Sequence, residues 1–324
     1  MKMSTCLAVG TLLSGVSLQA AALELGTFND TTFSVGGYIK GQGVINDPDD
    51  ADSSFDATAR QTRINFGSKK TIEGHNVSAF IEGDFYGGNA GSTTYDWRLR
   101  HAYVKVDNLT FGQTWSGQFL GKMGNDIIDF ANADRGTLAK ANVRPTLVHY
   151  QLGGARFSFQ DPYYDDADMP DMAVGYRYTG DTGNVAGILL SVREMENDDV
   201  TAGVGFAGKL MLGQDDLRFN AHYGEGLAAY TGVGKDVELD DAVDQFGYNL
   251  AYRHLWSSEL RSSLQYTHVE VDDVEETEYD SYHVNLIYNY LPNLEFGIEW
   301  RKYEFTPDAR TNGQQLEVMA KYSF

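Results

Sequence analysis

Residues 313–324 read GQQLEVMAKYSF, and the alternation within them decides the fold. Leu316, Val318, Ala320, Tyr322 and Phe324 fall on one face of an extended chain, and Glu317, Met319, Lys321 and Ser323 on the other. Successive side chains of a strand point to opposite faces, so this pattern is a strand with one apolar and one polar side. It recurs upstream. Leu294, Phe296, Ile298 and Trp300 alternate with Glu295, Gly297, Glu299 and Arg301. Tyr282, Val284, Leu286, Tyr288 and Tyr290 alternate with His283, Asn285, Ile287 and Asn289, and Leu217, Phe219, Ala221 and Tyr223 with Arg218, Asn220, His222 and Gly224. Two-faced strands of about ten residues are what a tilted membrane strand requires.

Working outward, the pattern predicts sixteen strands, at 33–45, 58–68, 75–86, 95–106, 108–115, 143–152, 154–161, 171–180, 184–194, 200–212, 215–224, 243–254, 257–270, 280–291, 293–304 and 313–324. An even number closes an antiparallel barrel with both termini at one end, and closure leaves no unpaired edge in lipid. The fold expected is all-β, a transmembrane antiparallel β-barrel over residues 23–324. Aromatic residues near strand ends (Tyr86, Tyr95, Trp97, Trp115, Trp256, Tyr290, Trp300, Tyr322 and Phe324) suit the two interfacial girdles of such a barrel.

The connections alternate in length. Short ones include 152–155, 179–184, 213–216, 256–259 and 291–293, and read as hairpin turns on the periplasmic side. Long ones at 46–56, 161–171, 194–199, 225–244 and 270–280 carry 27 of the 46 acids and read as an acidic outer rim. Carboxylates there solvate the loops, and they suit Ca2+ or Mg2+ ions bridging to lipopolysaccharide.

The N-terminus reads as a secretory signal peptide over residues 1–22: Lys2, an apolar run from Leu7 to Leu18, then Ala20-Ala21-Ala22. Its removal takes Lys2 and no acid, so the formal charge goes from −21 to −22. It also takes Cys6, the single cysteine, which excludes disulfides, zinc–thiolate sites and cysteine nucleophiles from the mature chain. So acidic a chain does not bind nucleic acid through phosphates. No later stretch approaches the eighteen apolar residues of a transmembrane helix.

One connection breaks the length rule. Ser116–Asn142, after the fifth strand, has apolar residues of its own (Phe119, Leu120, Ile127, Ile128, Phe130 and Leu138) and the acids Asp126, Asp129 and Asp134. A connection this long usually has a job, and one in this place can fold inward as a constriction loop. Facing it, strand parity puts Arg63, Arg98, Arg100, Arg144, Arg156 and Arg177 in the lumen, with Glu82 and Asp84, because charge facing lipid costs about 2–4 kcal/mol at mid-membrane. Arg60 has the parity of Ile64 and Phe66, which places it at the rim or after a bulge. An arginine wall opposite an acidic loop would select solutes by charge and size.

The strings GGYIKGQG (36–43), ATARQTRINF (57–66), FIEGDFYGG (80–88), RLRHAYVK (98–105) and LTFGQTWSG (109–117) resemble DcaP-type trimeric outer-membrane porins. The C-terminal KYSF (321–324) resembles the general barrel-assembly signal. The resemblance implies a sixteen-stranded barrel in the outer membrane, in contact with its lipids, assembled as a homotrimer with the long loop folded into each pore. It implies passive uptake of small solutes, notably dicarboxylates, with no cofactor, and carries over Arg60, Arg63, Arg98 and Arg100 as pore lining. The chain departs from the pattern in its strongly acidic loops, which favour a cation-preferring general porin as the alternative. Some relatives also have an N-terminal coiled-coil extension, which is not seen between the signal peptide and the first strand. A barrel enzyme is the weaker alternative, since none of the seven histidines (His75, His101, His149, His222, His254, His268 and His283) lies in a motif with a nucleophile. An adhesin is weaker too, since sixteen strands enclose a channel and not a filled interior.

Overall fold

The computed structural model describes residues 22–88, 95–118, 126–129, 135–138, 143–163, 167–307 and 312–324. The signal peptide expected over 1–22 therefore lies, except for Ala22, outside the described residues. The strands in chain order are β1 (Leu23–Phe28), β2 (Thr31–Pro48), β3 (Ser54–Thr58), β4 (Arg63–Ile72), β5 (His75–Gly87), β6 (Asp96–Val106), β7 (Leu109–Gln113), β8 (Thr146–Leu152), β9 (Ala155–Gln160) and β10 (Asp171–Thr179). They continue with β11 (Val185–Glu194), β12 (Val200–Leu212), β13 (Asp215–Glu225), β14 (Val237–Glu238), β15 (Asp241–Ala242), β16 (Asp244–Leu255), β17 (Leu260–Val271), β18 (Glu278–Leu291), β19 (Leu294–Thr306) and β20 (Gly313–Ser323). One short helix, α1 (Ala228–Thr231), lies in the connection after β13.

Each strand pairs antiparallel with its neighbours, and β2 closes the ring on β20 from Tyr38↔Ser323 to Pro48↔Gly313. The strands β3 and β4 are one stave interrupted at residues 59–62, since both pair with β2, their registers offset by one residue. Without β1 and the small β14–β15 hairpin, the sheet is a closed barrel of sixteen staves, as the alternation predicted. The strand β1 folds back on the first half of β2, where β20 has already ended.

The two faces separate as expected. Val318 and Tyr322 are 49% and 48% exposed on the outer wall, while Glu317 is fully buried and Met319 8% exposed on the inner one. The outer wall is a belt of leucine, isoleucine, valine, phenylalanine, tyrosine and tryptophan. The inner wall is polar, with arginines, carboxylates, histidines, asparagines and glutamines buried along it. This inversion of a soluble protein satisfies lipid outside and leaves polar groups to pair inside.

All the short connections lie at one end of the barrel. At the turn between β4 and β5, Glu73 and Gly74 both have positive φ, which gives the tight hairpin geometry that fits strand twist. Both chain termini of the barrel lie at this end, and the long connections lie at the other.

One part of the acidic rim is not exposed. Within the 225–244 connection, Leu227, Ala228, Tyr230, Thr231 and Val233 are buried inside the barrel mouth. Leu227 and Tyr230 pack with Leu138, Ala173, Leu189 and Ala207. Val233 packs with Val269, Val271 and Tyr279. The reason is compositional: GLAAYTGVG (226–234) is an apolar island in an otherwise acidic loop, and it is removed from water against the inner wall.

Candidate functional site: the barrel lumen

The described pieces of the 116–142 segment sit against the inner wall. Ile128 packs on Ile287 and Met319. Its backbone N–H donates to Glu299 Oε2 (2.7 Å), and its carbonyl accepts from Lys40 Nζ (2.9 Å). Asp126 takes the guanidinium of Arg261, with Nε at 2.6 Å. Asp129 accepts from the Tyr303 hydroxyl and lies 3.6 Å from Arg301. Further along, Gly136 N–H donates to the Thr231 carbonyl (2.8 Å), which joins this segment to the second buried loop. At its start, Gly117 N–H and Ser116 Oγ both donate to Gln160 Oε1, at 2.7 and 2.9 Å. Asp134 lies outside the described residues.

Of the arginines expected on the wall, Arg63 and Arg100 are buried and Arg98, Arg144, Arg156 and Arg177 half-buried. Arg98 grips Asp84 with two parallel bonds (2.9 and 2.7 Å), and Arg100 bridges Glu82 (2.9 Å) and Asp84 (2.8 Å). Arg63 stands 3.8 Å from Glu82, with its guanidinium over the Tyr38 ring. Such bidentate pairs are the stronger kind of ion pair. Arg60 lies in the interruption between β3 and β4, with its guanidinium 4.8 Å from the centre of the Tyr86 ring. Arg98 approaches the same ring at 5.2 Å. Arg144 lies over Trp115 at 4.9 Å. Arg156 donates to the Gly117 carbonyl (3.0 Å). Arg177 shares the buried face of β10 with Ala173 and Gly175.

A bulge assembles this wall. Glu82 pairs with His101 and Gly83 with Leu99, so Arg100 is an extra residue in β6. A bulge shifts the side-chain alternation. Arg100 and His101 are accordingly both buried although adjacent in sequence. Across from it Gly83 must lack a side chain: a Cβ there would sit 2.1 Å from the Trp97 indole.

The described acids of the segment find their own partners. They bond to Arg261, Arg301 and Tyr303, and Arg98 and Arg100 are met by acids of the adjacent strand. The nearest opposite charge wins in each case, since Coulomb attraction falls with distance.

Several lumen cations were not singled out from sequence. Lys40 and Arg301 share Glu317 (3.1 and 2.7 Å), Arg193 holds Asp171 and Asp236 (3.2 and 3.6 Å), and Arg218 and Arg253 share Asp216. Asp171 and Asp236 belong to the supposed outer loops, yet both are buried. The alternation that exposed Arg98 also marks these: Arg193 follows Val192, Arg218 follows Leu217 and Arg301 follows Trp300. The structure also brings Ser158 Oγ to His149 Nδ1 at 2.7 Å. Gly117 lies directly over that serine, and even a Cβ on Gly117 would come within 2.5 Å of Ser158 Cβ, so no substrate reaches the hydroxyl from there. Among the described residues no group of three histidine, cysteine or acidic side chains is placed to hold a metal ion.

No family model and no curated protein matches this chain. Among solved structures, the outer-membrane channel DcaP of Acinetobacter baumannii superposes with a TM-score of 0.80 at 21% identity, over 93% of this chain and 99% of that one. The fold is that of an outer-membrane porin. The anion-selective porin from Comamonas acidovorans has the same fold (TM-score 0.66, 12% identity, 91% of this chain and 100% of that one). So does the trimer form of OmpT from Vibrio cholerae (TM-score 0.65, 12% identity, 91% and 100%). This porin fold agrees with the resemblance carried by the five N-terminal strings.

Proposed function

We propose that this chain is an outer-membrane porin, a passive, water-filled channel for small hydrophilic solutes. It works without a cofactor, crosses the membrane as a homotrimer, and prefers carboxylates and other small anions. The observation that carries this reading is the inverted barrel: an apolar outer belt and a lumen lined with ionised side chains. Such a lumen has no use in a packed structural barrel, and it orders water and solutes by charge. This reading takes the 116–142 segment as the constriction, supported by its described residues Asp126, Ile128 and Asp129, which bond to the inner wall. The anion preference is supported by the cations toward the short-turn end: Arg156, Arg177, Lys209, Arg218, Arg253, Arg261 and Lys321. The trimer of OmpT and the anion selectivity of the Comamonas porin are the properties of two proteins that share the fold.

A second reading, a cation-preferring general porin, draws on the acidic long loops. Reversal potentials in a potassium chloride gradient across a planar bilayer separate the two by sign. A chloride-preferring potential is expected. A potassium-preferring one selects the second reading, and a folded barrel that conducts no ions would sink both.

A further inference from the structure

The lumen cations divide by what neutralises them. Arg98 and Arg100 are closed on Asp84 and Glu82, Arg261 on Asp126 and Glu295, and Arg301 on Glu299 and Glu317. At the long-loop end of β10–β12 the pattern holds, with Arg193 on Asp171 and Asp236; at the short-turn end it stops. Strands β9 to β12 contain only two acids, Asp171 and Glu194, both at their long-loop ends. Arg177 and Lys209 lie near the short-turn ends of β10 and β12. Neither makes an ion pair or a side-chain hydrogen bond with the described residues, and the Arg177 Nε is buried without a partner. Asp216, on the next stave, is shared by Arg218 and Arg253. Asp181 is exposed in the turn beyond them.

Register brings these cations together. Arg177 pairs with Gly187 and Lys209 with Val185, two positions apart on the single intervening strand β11. Gly187 puts no side chain between them. Arg156 pairs with Gly175, two residues from Arg177 on the same face, and adds a third charge. Arg156 and Arg177 are same-face diagonal neighbours on adjacent strands, about 7–8 Å apart. Lys209 lies one strand further on, roughly 12 Å from Arg177 at the backbone for strands about 4.8 Å apart that rise about 3.4 Å per residue, a gap that the two long side chains narrow. A cluster of like charges with no acid at that end of its own strands is electrostatically unfavourable by itself and is relieved by an anion.

We infer that Arg177 and Lys209 form an anion-binding subsite on the lumen wall, which takes a carboxylate or phosphate group of the passing solute in place of a protein carboxylate. The guanidinium offers two parallel donors to such a group, and the lysine ammonium a point charge to the same oxygens or to a further phosphate oxygen. This rests on the channel reading above and locates the solute on the β10–β12 wall, away from Arg98 and Arg100.

The test is the block of single-channel potassium chloride current by inorganic phosphate, in trimers reconstituted into neutral lipid. Wild type, Arg177→Gln with Lys209→Gln, and the charge-neutral control Arg98→Gln with Asp84→Asn are compared. The first double variant is expected to raise the phosphate concentration for half-block about thirtyfold, the loss implied by two cations each at roughly 4 Å across water. The control is expected to stay at the wild-type value. The subsite is overturned if wild type conducts but phosphate does not block it, if the first variant blocks as wild type does, or if the control weakens block as much. A wild type that folds and does not conduct fails the channel reading itself. Folding is read by heat-modifiable gel mobility. If the double variant does not fold, the single changes Arg177→Gln and Lys209→Gln carry the same test, since neither leaves an acid without its cation.

Discussion

On the wall built by β4 to β6, Arg98 and Arg100 close on Asp84 and Glu82; on the wall built by β9 to β12, Arg177 and Lys209 meet no acid of their own strands. Both walls use one sequence device, a basic residue alternating with apolar ones. The register of the neighbouring strand makes them different. Asp84 pairs with Arg98 across the β5–β6 ladder, while Gly187 pairs with Arg177 across β10–β11. A carboxylate opposite an arginine produces a stiff, neutralised strut. A glycine opposite one leaves a charge available to a solute. Counting lumen arginines is therefore a poor guide to where an anion rests.

The comparison breaks most visibly at Asp84. Asp84→Ala leaves Arg98 and Arg100 without their shared carboxylate, and removing one partner of a buried ion pair costs about 3 kcal/mol or more. Urea unfolding of the reconstituted barrel should record that loss, whereas Arg177→Ala should move the same curve by no more than about 0.5 kcal/mol. Equal losses at the two sites would erase the distinction between the walls.

A smaller effect sharpens the picture of the inner segment. Glu299→Ala removes the acceptor of the Ile128 and Asp129 N–H groups. Hydrogen bonds to charged groups contribute about 1.5–3 kcal/mol. The seat of residues 126–129 should loosen, and single-channel conductance should become larger and noisier. An unaltered conductance trace would mean that Lys40, Arg261 and Tyr303 hold the segment without it.

The smallest effect lies outside the membrane, in a turn. Asp107 accepts from the Asn76 N–H (2.9 Å) and meets His75 Nδ1 at 2.7 Å. These bonds hold its carboxyl below the usual carboxylate range. A depressed folded value means the contribution is present above the unfolded value of about 4 and is lost as pH falls through the lower folded one. Asp107→Asn should flatten the stability profile slightly in that acid range alone. A change at neutral pH as large as that of Asp84→Ala would contradict the ranking.

Much of this was legible in the chain. Period-two alternation gave all sixteen staves within a few residues, and the strict lipid penalty made parity a reliable guide to which side chains face inward. The Arg100 bulge was not legible, because RLRHAY alternates smoothly on paper and the extra residue appears only when β6 is laid against β5. The burial of Leu227–Val233 had a visible signal, an apolar run inside an acidic loop, but charge around it masked the signal.

By itself, then, the sequence determined a closed barrel with an apolar outside and a charged inside, because lipid on one face and water on the other dictate a two-residue period. Which charges neutralise one another was decided only by the tertiary structure. Ion pairing depends on the register between strands and on loops folded back into the lumen, and no local pattern encodes the distance from Asp126 to Arg261 or the glycine that faces Arg177.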